Sequence, residues 1–398
     1  MQQETQKIEY LIGSEKMLAD MPLLPSLPIF SDLALSFLEG LSKRLLHSKE
    51  AKAYGDVVAY GFWVRRAYMG KVRKRYAGEA ERRLGRGVAF HIAPSNIPVQ
   101  FAVSLTYALL AGNASVVRVS GKEFPQVDII CETISTVIRE ECPDVAPYIC
   151  VVRYGHDDLV TQKLSAICDI RMIWGGDRTI EAIRRAQVGP RCLDLGFADR
   201  YSLAVFDAEA YLEMDRATVA HAFYNDTYYV DQNACSSPRL IVWTGNRIAE
   251  AQEAFWGALA PLVAERYEMS DIAASEKLLH TTLCAAKHPG VREIKHDNLV
   301  VRLELPEIYA DVMAYEGNCG YFLEYSTRDL QEILPLLRKK CQTITYLGTL
   351  AERLRAMVVE HGVRGVDRIV PVGRGMDMVF VWDGIDLPLA LSRIVSDV

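Results

Sequence analysis

Gly87-Val88-Ala89-Phe90-His91-Ile92, followed by Ala93-Pro94-Ser95-Asn96-Ile97-Pro98, decides the fold of this chain. The first six residues are a short apolar run bounded by turn residues, which reads as a buried strand. The next six form a loop that Pro98 can close as an early helix residue. Apolar spacing predicts a helix over 99–110, ended by the C-cap pair Gly112-Asn113. A strand follows over 114–119. Further out come a helix over 126–140, a strand over 148–153, a short helix over 159–166 and a strand over 169–174. Gly175-Gly176 then opens a helix over 178–186. Alternation of this kind implies parallel βαβ units and a doubly wound α/β sheet.

The alternation restarts after a strand over 201–206. Further strands are predicted at 239–243, 298–303, 320–325 and 342–346. Helices at 208–224, 248–267, 271–286, 330–338 and 349–360 fill the gaps. Four parts are expected: a helical N-terminal segment, 1–80; a first α/β domain, 81–207; a second, 208–360; and a tail, 361–398, that returns to the core or to a partner subunit. A length of 398 residues suits two or three domains at roughly 100–200 residues each. Nine Lys or Arg lie between Arg65 and Arg86. They read as a solvated helix face or, alternatively, as a contact for an anionic cofactor.

A net charge of -6 argues against a general nucleic-acid binder. Nine cysteines without a CxxC pair read as reduced thiols, and so as a cytoplasmic protein. The start of the chain lacks a basic region followed by an apolar stretch, so no signal peptide is expected. No run approaches the ~18 apolar residues of a membrane helix. Neither cysteines nor histidines fall at metal-ligand spacing, and no metal is expected. His91 reads as a satisfied strand histidine or as a residue facing the site.

One cysteine differs from the other eight. Asp231-Gln232-Asn233-Ala234-Cys235-Ser236-Ser237-Pro238 places a thiol in a polar loop just before the apolar run Leu240-Ile241-Val242-Trp243. Such a thiol can accept an incoming substrate, with donors nearby for a developing charge. No Gly-x-Gly-x-x-Gly lies in a strand–turn–helix setting, since Gly85-Arg86-Gly87 and Gly373-Arg374-Gly375 lack the third glycine. Two other elements suit phosphates. Gly175 and Gly176 lie between a strand and a helix, where backbone N–H groups can meet a pyrophosphate. Arg118, Ser120, Gly121 and Lys122 lie at a strand end, where a doubly wound sheet binds ligands. Each of the two is alternatively an ordinary turn.

Together these motifs resemble the aldehyde dehydrogenase superfamily. Ala93-Pro94-Ser95-Asn96-Ile97-Pro98 is similar to its Pro-Trp-Asn-Phe-Pro. Ala111-Gly112-Asn113, the strand, then Val119-Ser120-Gly121 resembles Ala-Gly-Asn with Lys-Pro-Ser-Glu. Gly175-Gly176 resembles a Gly-Ser-Thr turn, and Leu193-Asp194-Leu195-Gly196 a degenerate Glu-Leu-Gly-Gly. Thr327-Arg328-Asp329-Leu330 also matches. The cysteine loop, Gly320-Tyr321-Phe322 and Gly365-Val366-Asp367-Arg368-Ile369-Val370-Pro371 are most similar to the fatty acyl-CoA reductases of the LuxC family.

The resemblance implies an aldehyde-dehydrogenase-like fold, with an NAD(P)-binding domain and a catalytic domain. It implies Cys235 as nucleophile and the Asn96 amide as oxyanion donor, with Ala93, Pro94, Ser95, Arg118, Ser120, Gly121, Lys122, Gly175 and Gly176 around the cofactor. It implies reduction of an acyl-CoA to the aldehyde through a cysteine acyl-enzyme, a homo-oligomer, and a partner protein that supplies activated fatty acid. Asp194 stands where many relatives carry a general base, one methylene shorter. It is either a proton shuttle or a strand-end carboxylate. Gly121 replaces a glutamate that suits the ribose of NAD. Loss of that carboxylate beside Arg118 and Lys122 favours NADPH, with NADH still admitted. Alternatives are an NAD(P)-dependent aldehyde dehydrogenase, an acyl-phosphate reductase and a non-catalytic assembly protein.

Overall fold

The computed structural model describes residues 8–295 and 297–396. The chain divides into two compact units. One runs to Ala198 and resumes at Met378; the other is Asp199–Asp377. Among the described residues no helix is long and apolar enough to cross a membrane.

The first unit is built on a six-stranded sheet. Its order is Glu9–Ile12, Ile149–Arg153, Ala114–Val119, Val88–Ile92, Ile170–Trp174 and Leu193–Phe197. Every pairing is parallel except that of Glu9–Ile12. The chain moves outward from Val88–Ile92 through two strands, then crosses to its other side. That reversal is the switch point beyond whose carboxyl ends such sheets hold ligands. Val88–Ile92 is buried throughout, and the helix Gln100–Leu110 is buried at all but its first residue. The helix starts after Pro98, which lies in the preceding turn.

The Gly-Asn pair has a wider role than capping. Gly112 has φ +86°, and a Cβ there would lie 2.0 Å from the Leu27 carbonyl oxygen. Asn113 Oδ1 accepts from the N–H groups of Arg86 (2.7 Å) and Gly87 (3.2 Å). Its Nδ2 donates to the carbonyls of Ala108 (3.2 Å) and Leu391 (3.0 Å). One side chain thus joins the helix end, the entry to the first strand and the chain's C-terminal return.

The tail therefore does not act as a single piece over 361–398. Arg368–Pro371 is the edge strand of the second sheet. From Met378 the chain belongs to the first unit. There Phe380 stacks on Trp63 at 5.3 Å, and Ser392–Ile394 pairs with Arg83–Gly85. Helices Asp32–His47, Gly55–Trp63 and Arg66–Arg75 make up much of the N-terminal region. The strand Glu9–Ile12, four residues long, is too short for periodicity to reveal. Several of the basic residues between Arg65 and Arg86 pair with acids of this unit, as Arg66 does with Glu39 and Arg73 with Asp32.

The second unit holds seven strands. Their order is Arg292–Lys295, Val301–Glu304, Tyr321–Ser326, Pro238–Thr244, Tyr201–Asp207, Cys341–Leu347 and Arg368–Pro371. All pairings are parallel except the first. Tyr201–Asp207 lies between two strands of this sheet, so the division falls after Ala198 and not near 208. Periodicity marks a strand but cannot say which sheet it joins. Pro238–Thr244 is wholly buried, with Leu240 and Val242 in one core and Ile241 and Trp243 in the other. Alternation across the sheet requires this. The buried Glu324 carboxylate accepts from Arg302 Nε (2.6 Å) and from the indoles of Trp243 and Trp256 (both 2.8 Å). These partners supply what a buried charge needs.

Candidate active site

Cys235 lies in the turn before Pro238–Thr244, at the amino end of a central strand, and is half-buried. The loop is held from several sides. Asp231 and Gln232 have φ +52° and +57°, two consecutive left-handed residues without glycine. Such a pair costs on the order of 1 kcal/mol per residue and needs compensating contacts. Gln232 supplies them. Its fully buried amide donates to the carbonyls of Pro238 and Tyr321, both at 3.1 Å. Its Oε1 accepts from the N–H groups of Gly320 (2.9 Å) and Tyr321 (3.2 Å). Arg239 donates to the Gln232 carbonyl (3.0 Å) and to Asn318, whose amide donates to Asn233 Oδ1 (2.7 Å). Ser202 Oγ donates to the Cys235 carbonyl at 2.6 Å.

Gln232 is therefore scaffold and not a free donor, whereas the buried Ser237 Oγ has no hydrogen-bond partner among the described residues. The sequence marked the loop as polar but could not show where its side chains turn. It also left Gly373-Arg374-Gly375 without a role. The buried Asp226 carboxylate accepts from the N–H groups of Gly373 (2.6 Å) and Gly375 (2.9 Å). Burial pushes that carboxyl up to about 6. Met376 follows, its sulfur 3.5 Å from Ser236 Oγ.

The cofactor candidates gather in the first unit. Ala93–Asn96, Ser120–Lys122 and Gly175-Gly176 follow three adjacent strands at their carboxyl ends, with Arg118 near the end of the middle strand's neighbour Ala114–Val119 itself. Ser95 and Asn96 are exposed. Asn96 does not cap the helix behind it: Val99 holds the cap position, and no side chain takes up the cap hydrogen bonds. Gly176 is the cap residue of the helix Asp177–Arg184, again without a side-chain cap. A Cβ on Gly175 would press on the Thr179 side chain at 3.2 Å, while one on Gly121 would meet nothing within 4 Å. The open backbone at Gly121 and the uncapped helix start fit a dinucleotide's phosphates. Arg118 is turned aside, donating to the carbonyls of Tyr154 (3.3 Å) and Gly155 (3.2 Å), so Lys122 is the exposed cation of this loop.

Asp194 is the second residue of Leu193–Phe197 and lies in register with Arg171. The 1%-exposed Arg171 guanidinium donates to it and to the carbonyls of Ile183 (3.2 Å) and Ala186 (2.8 Å). Arg184 stands 3.5 Å from its other oxygen. This is the setting of a structural carboxylate. Removing one partner of a buried pair typically costs about 3–5 kcal/mol. Asp194→Ala is therefore expected to lower the unfolding free energy by that amount, read as a lower urea midpoint. An unchanged midpoint with lost activity would restore the proton-shuttle role.

His91 is fully buried between Ser104 Oγ (2.7 Å) and Ser115 Oγ (3.3 Å). Burial lowers it to about 3, so it stays neutral as a strand histidine. The Cys168 and Cys192 sulfurs lie 3.8 Å apart, a proximity that a 24-residue separation conceals.

The acyl-CoA reductase (LuxC) family model matches residues 39–276. A long-chain acyl-protein thioester reductase of Photobacterium phosphoreum is 23% identical over 313 residues, 73% of this chain and 60% of that protein. Its counterpart from Aliivibrio fischeri is 26% identical over 167 residues, 41% of this chain and 33% of that protein. The chain thus spans only a third to three fifths of these curated relatives. Among solved structures, a 3,6-anhydro-L-galactose dehydrogenase in complex with NAP gives a TM-score of 0.65 at 12% identity, covering 97% of this chain and 95% of that one. An NAD-dependent benzaldehyde dehydrogenase from Corynebacterium glutamicum gives 0.61 at 15% identity, covering 90% and 84%. These likenesses establish an aldehyde-dehydrogenase-like fold, as the motifs implied. The family match covers more than half of the sequence, and the chain belongs to the acyl-CoA reductase (LuxC) family.

Proposed function

We propose that this protein reduces a fatty acyl-CoA thioester to the aldehyde, with NADPH as reductant and Cys235 as nucleophile. The observation that carries the reading is the cysteine loop itself. A thiol at the amino end of a central strand is fixed by the fully buried Gln232 amide and by Ser202. A nucleophile held this way loses little entropy on reaching the acyl carbon.

In this reading the Cys235 thiolate adds to the acyl carbonyl, and the CoA sulfur departs with the bonding pair. An acyl-enzyme remains. The Cys235 N–H stabilises the oxyanion, a task that the family resemblance also assigns to the Asn96 amide. The first-unit loops at 93–95, 120–122 and 175–176 hold a nicotinamide cofactor, which supplies the hydride when bound. Collapse of the second oxyanion releases aldehyde and returns the Cys235 thiolate. Asp194, engaged by Arg171, takes no part. The open Gly121 beside Lys122 favours the extra phosphate of NADPH.

Consumption of NADPH and NADH with acyl-CoAs of graded chain length tests the reading. Oxidation of NADPH that requires acyl-CoA supports it. Turnover only with protein-bound acyl groups, as the relatives' names describe, would replace the CoA donor. Asn96→Ala is expected to lower kcat by roughly 100- to 1,000-fold while the melting temperature holds. Asn96 is exposed and caps no helix, so a loss of stability in that variant would reveal a structural role instead.

A further inference from the structure

The second unit carries a pocket of about 670 Å³ lined by Leu334, Leu337, Arg338, Lys339, Lys340, His361, Gly362, Val363 and Arg364. The floor is aliphatic, and the rim holds four permanent cations and a histidine without a carboxylate. This is unusual on a chain of net charge -6. Arg338, Lys339, His361 and Arg364 are exposed, and the first two and Arg364 make no ion pair among the described residues. Asp367 is engaged by Arg200.

The fold forces these like charges together. A Cβ on Gly365 would lie 1.9 Å from the Arg338 carbonyl oxygen, so only glycine lets the two loops approach this closely. The Val366 N–H donates to the Cys341 carbonyl at 2.7 Å and keeps them there. Clustered cations repel and destabilise the free protein unless an anion joins them.

The pocket also stands at the edge of the sheet that carries the thiol. Pro238–Thr244, Tyr201–Asp207 and Cys341–Leu347 are neighbouring parallel strands, and the cysteine loop and the cationic rim both precede their strands. One hydroxyl ties the two: Ser202 Oγ donates to the Cys235 carbonyl (2.6 Å) and accepts from the Thr343 N–H (3.1 Å). Thr343 is three residues beyond Lys340. At ~3.4 Å per residue, the rim begins about 10 Å along the strand from that hydroxyl.

We propose that this pocket holds the phosphorylated nucleotide end of the acyl-CoA. The cations meet the diphosphate and the 3′-phosphate, the aliphatic floor meets the adenine, and the pantetheine arm spans the distance to Cys235. The proposal rests on the acyl-CoA reductase reading and names the anchor for its substrate.

The test compares the full-length protein with the triple variant Arg338→Ala, Lys339→Ala, Arg364→Ala. All three side chains are exposed and their removal relieves repulsion, so a melting temperature no lower than the parent's is expected. Calorimetric titration with CoA alone should show binding weakened about tenfold or more. KM for acyl-CoA should rise by a similar factor at constant kcat, while KM for NADPH and for the matching acyl-pantetheine stays put. Restoring charge with Lys, Arg and Lys at the three positions should recover most of the affinity. Equal CoA affinity in parent and variant, or no CoA binding by the parent, overturns the pocket assignment. CoA binding that depends on the cations in a protein inert toward every acyl-CoA upholds the pocket and sinks the reductase reading.

Discussion

Cys235→Ala is expected to abolish acyl-CoA-dependent oxidation of NADPH, a loss on the order of 10⁶-fold in kcat. The size follows from covalent catalysis: without the sulfur there is no acyl-enzyme, and the remaining groups act on a thioester with no attacking atom. Intact-mass measurement supplies the complementary result. The parent, mixed with acyl-CoA and no reductant, should gain the mass of one acyl group, and the variant none. Three buried cysteines provide a contrast. Burial raises the Cys131, Cys150 and Cys341 thiols to about 12, which leaves them protonated and inert. An acyl adduct that persists in Cys235→Ala would move the nucleophile elsewhere. A variant that keeps its rate would remove covalent catalysis from the reading.

Gln232→Ala is expected to have the largest effect on the scaffold. The substitution strands the carbonyls of Pro238 and Tyr321 and the N–H groups of Gly320 and Tyr321, which the buried amide now satisfies. Each buried polar group left unpaired costs about 1–3 kcal/mol, so the total loss exceeds about 4 kcal/mol. The αL backbone at Asp231 and Gln232 then lacks its compensation. Urea denaturation reads the stability loss, and the rate of Cys235 alkylation reads the loop. The alkylation rate should rise toward that of an unstructured thiol even where the fold survives at low temperature. Unchanged stability and reactivity would mean that the cysteine loop stands without Gln232.

Much of this protein was legible before its coordinates. Val88–Ile92, the loop after it and the strand Ala114–Val119 announce themselves because a buried parallel strand must be continuously apolar and its loop must carry turn residues. Cys235 stood out because a thiol among Asp, Gln, Asn and Ser just before a strand contrasts with the other eight, which lie in or beside predicted elements. Roles that depend on a distant partner were not. Asp194 matches a catalytic motif, yet Arg171, 23 residues earlier, holds it as a structural ion. Gln232 looks like a site donor, yet Tyr321, 89 residues later, makes it a clamp. Tyr201–Asp207 reads as a strand, yet only pairing assigns it to the second sheet. By itself the sequence determined the alternation of strands and helices and the family, and it singled out Cys235 as the candidate nucleophile, because those rest on local periodicity and on residues adjacent along the chain. Only the tertiary structure decided the division into units, the pairing of Asp194 with Arg171, the clamp on the cysteine loop and the cationic pocket. Each of these depends on hydrogen bonds and charges between residues the chain brings together from far apart.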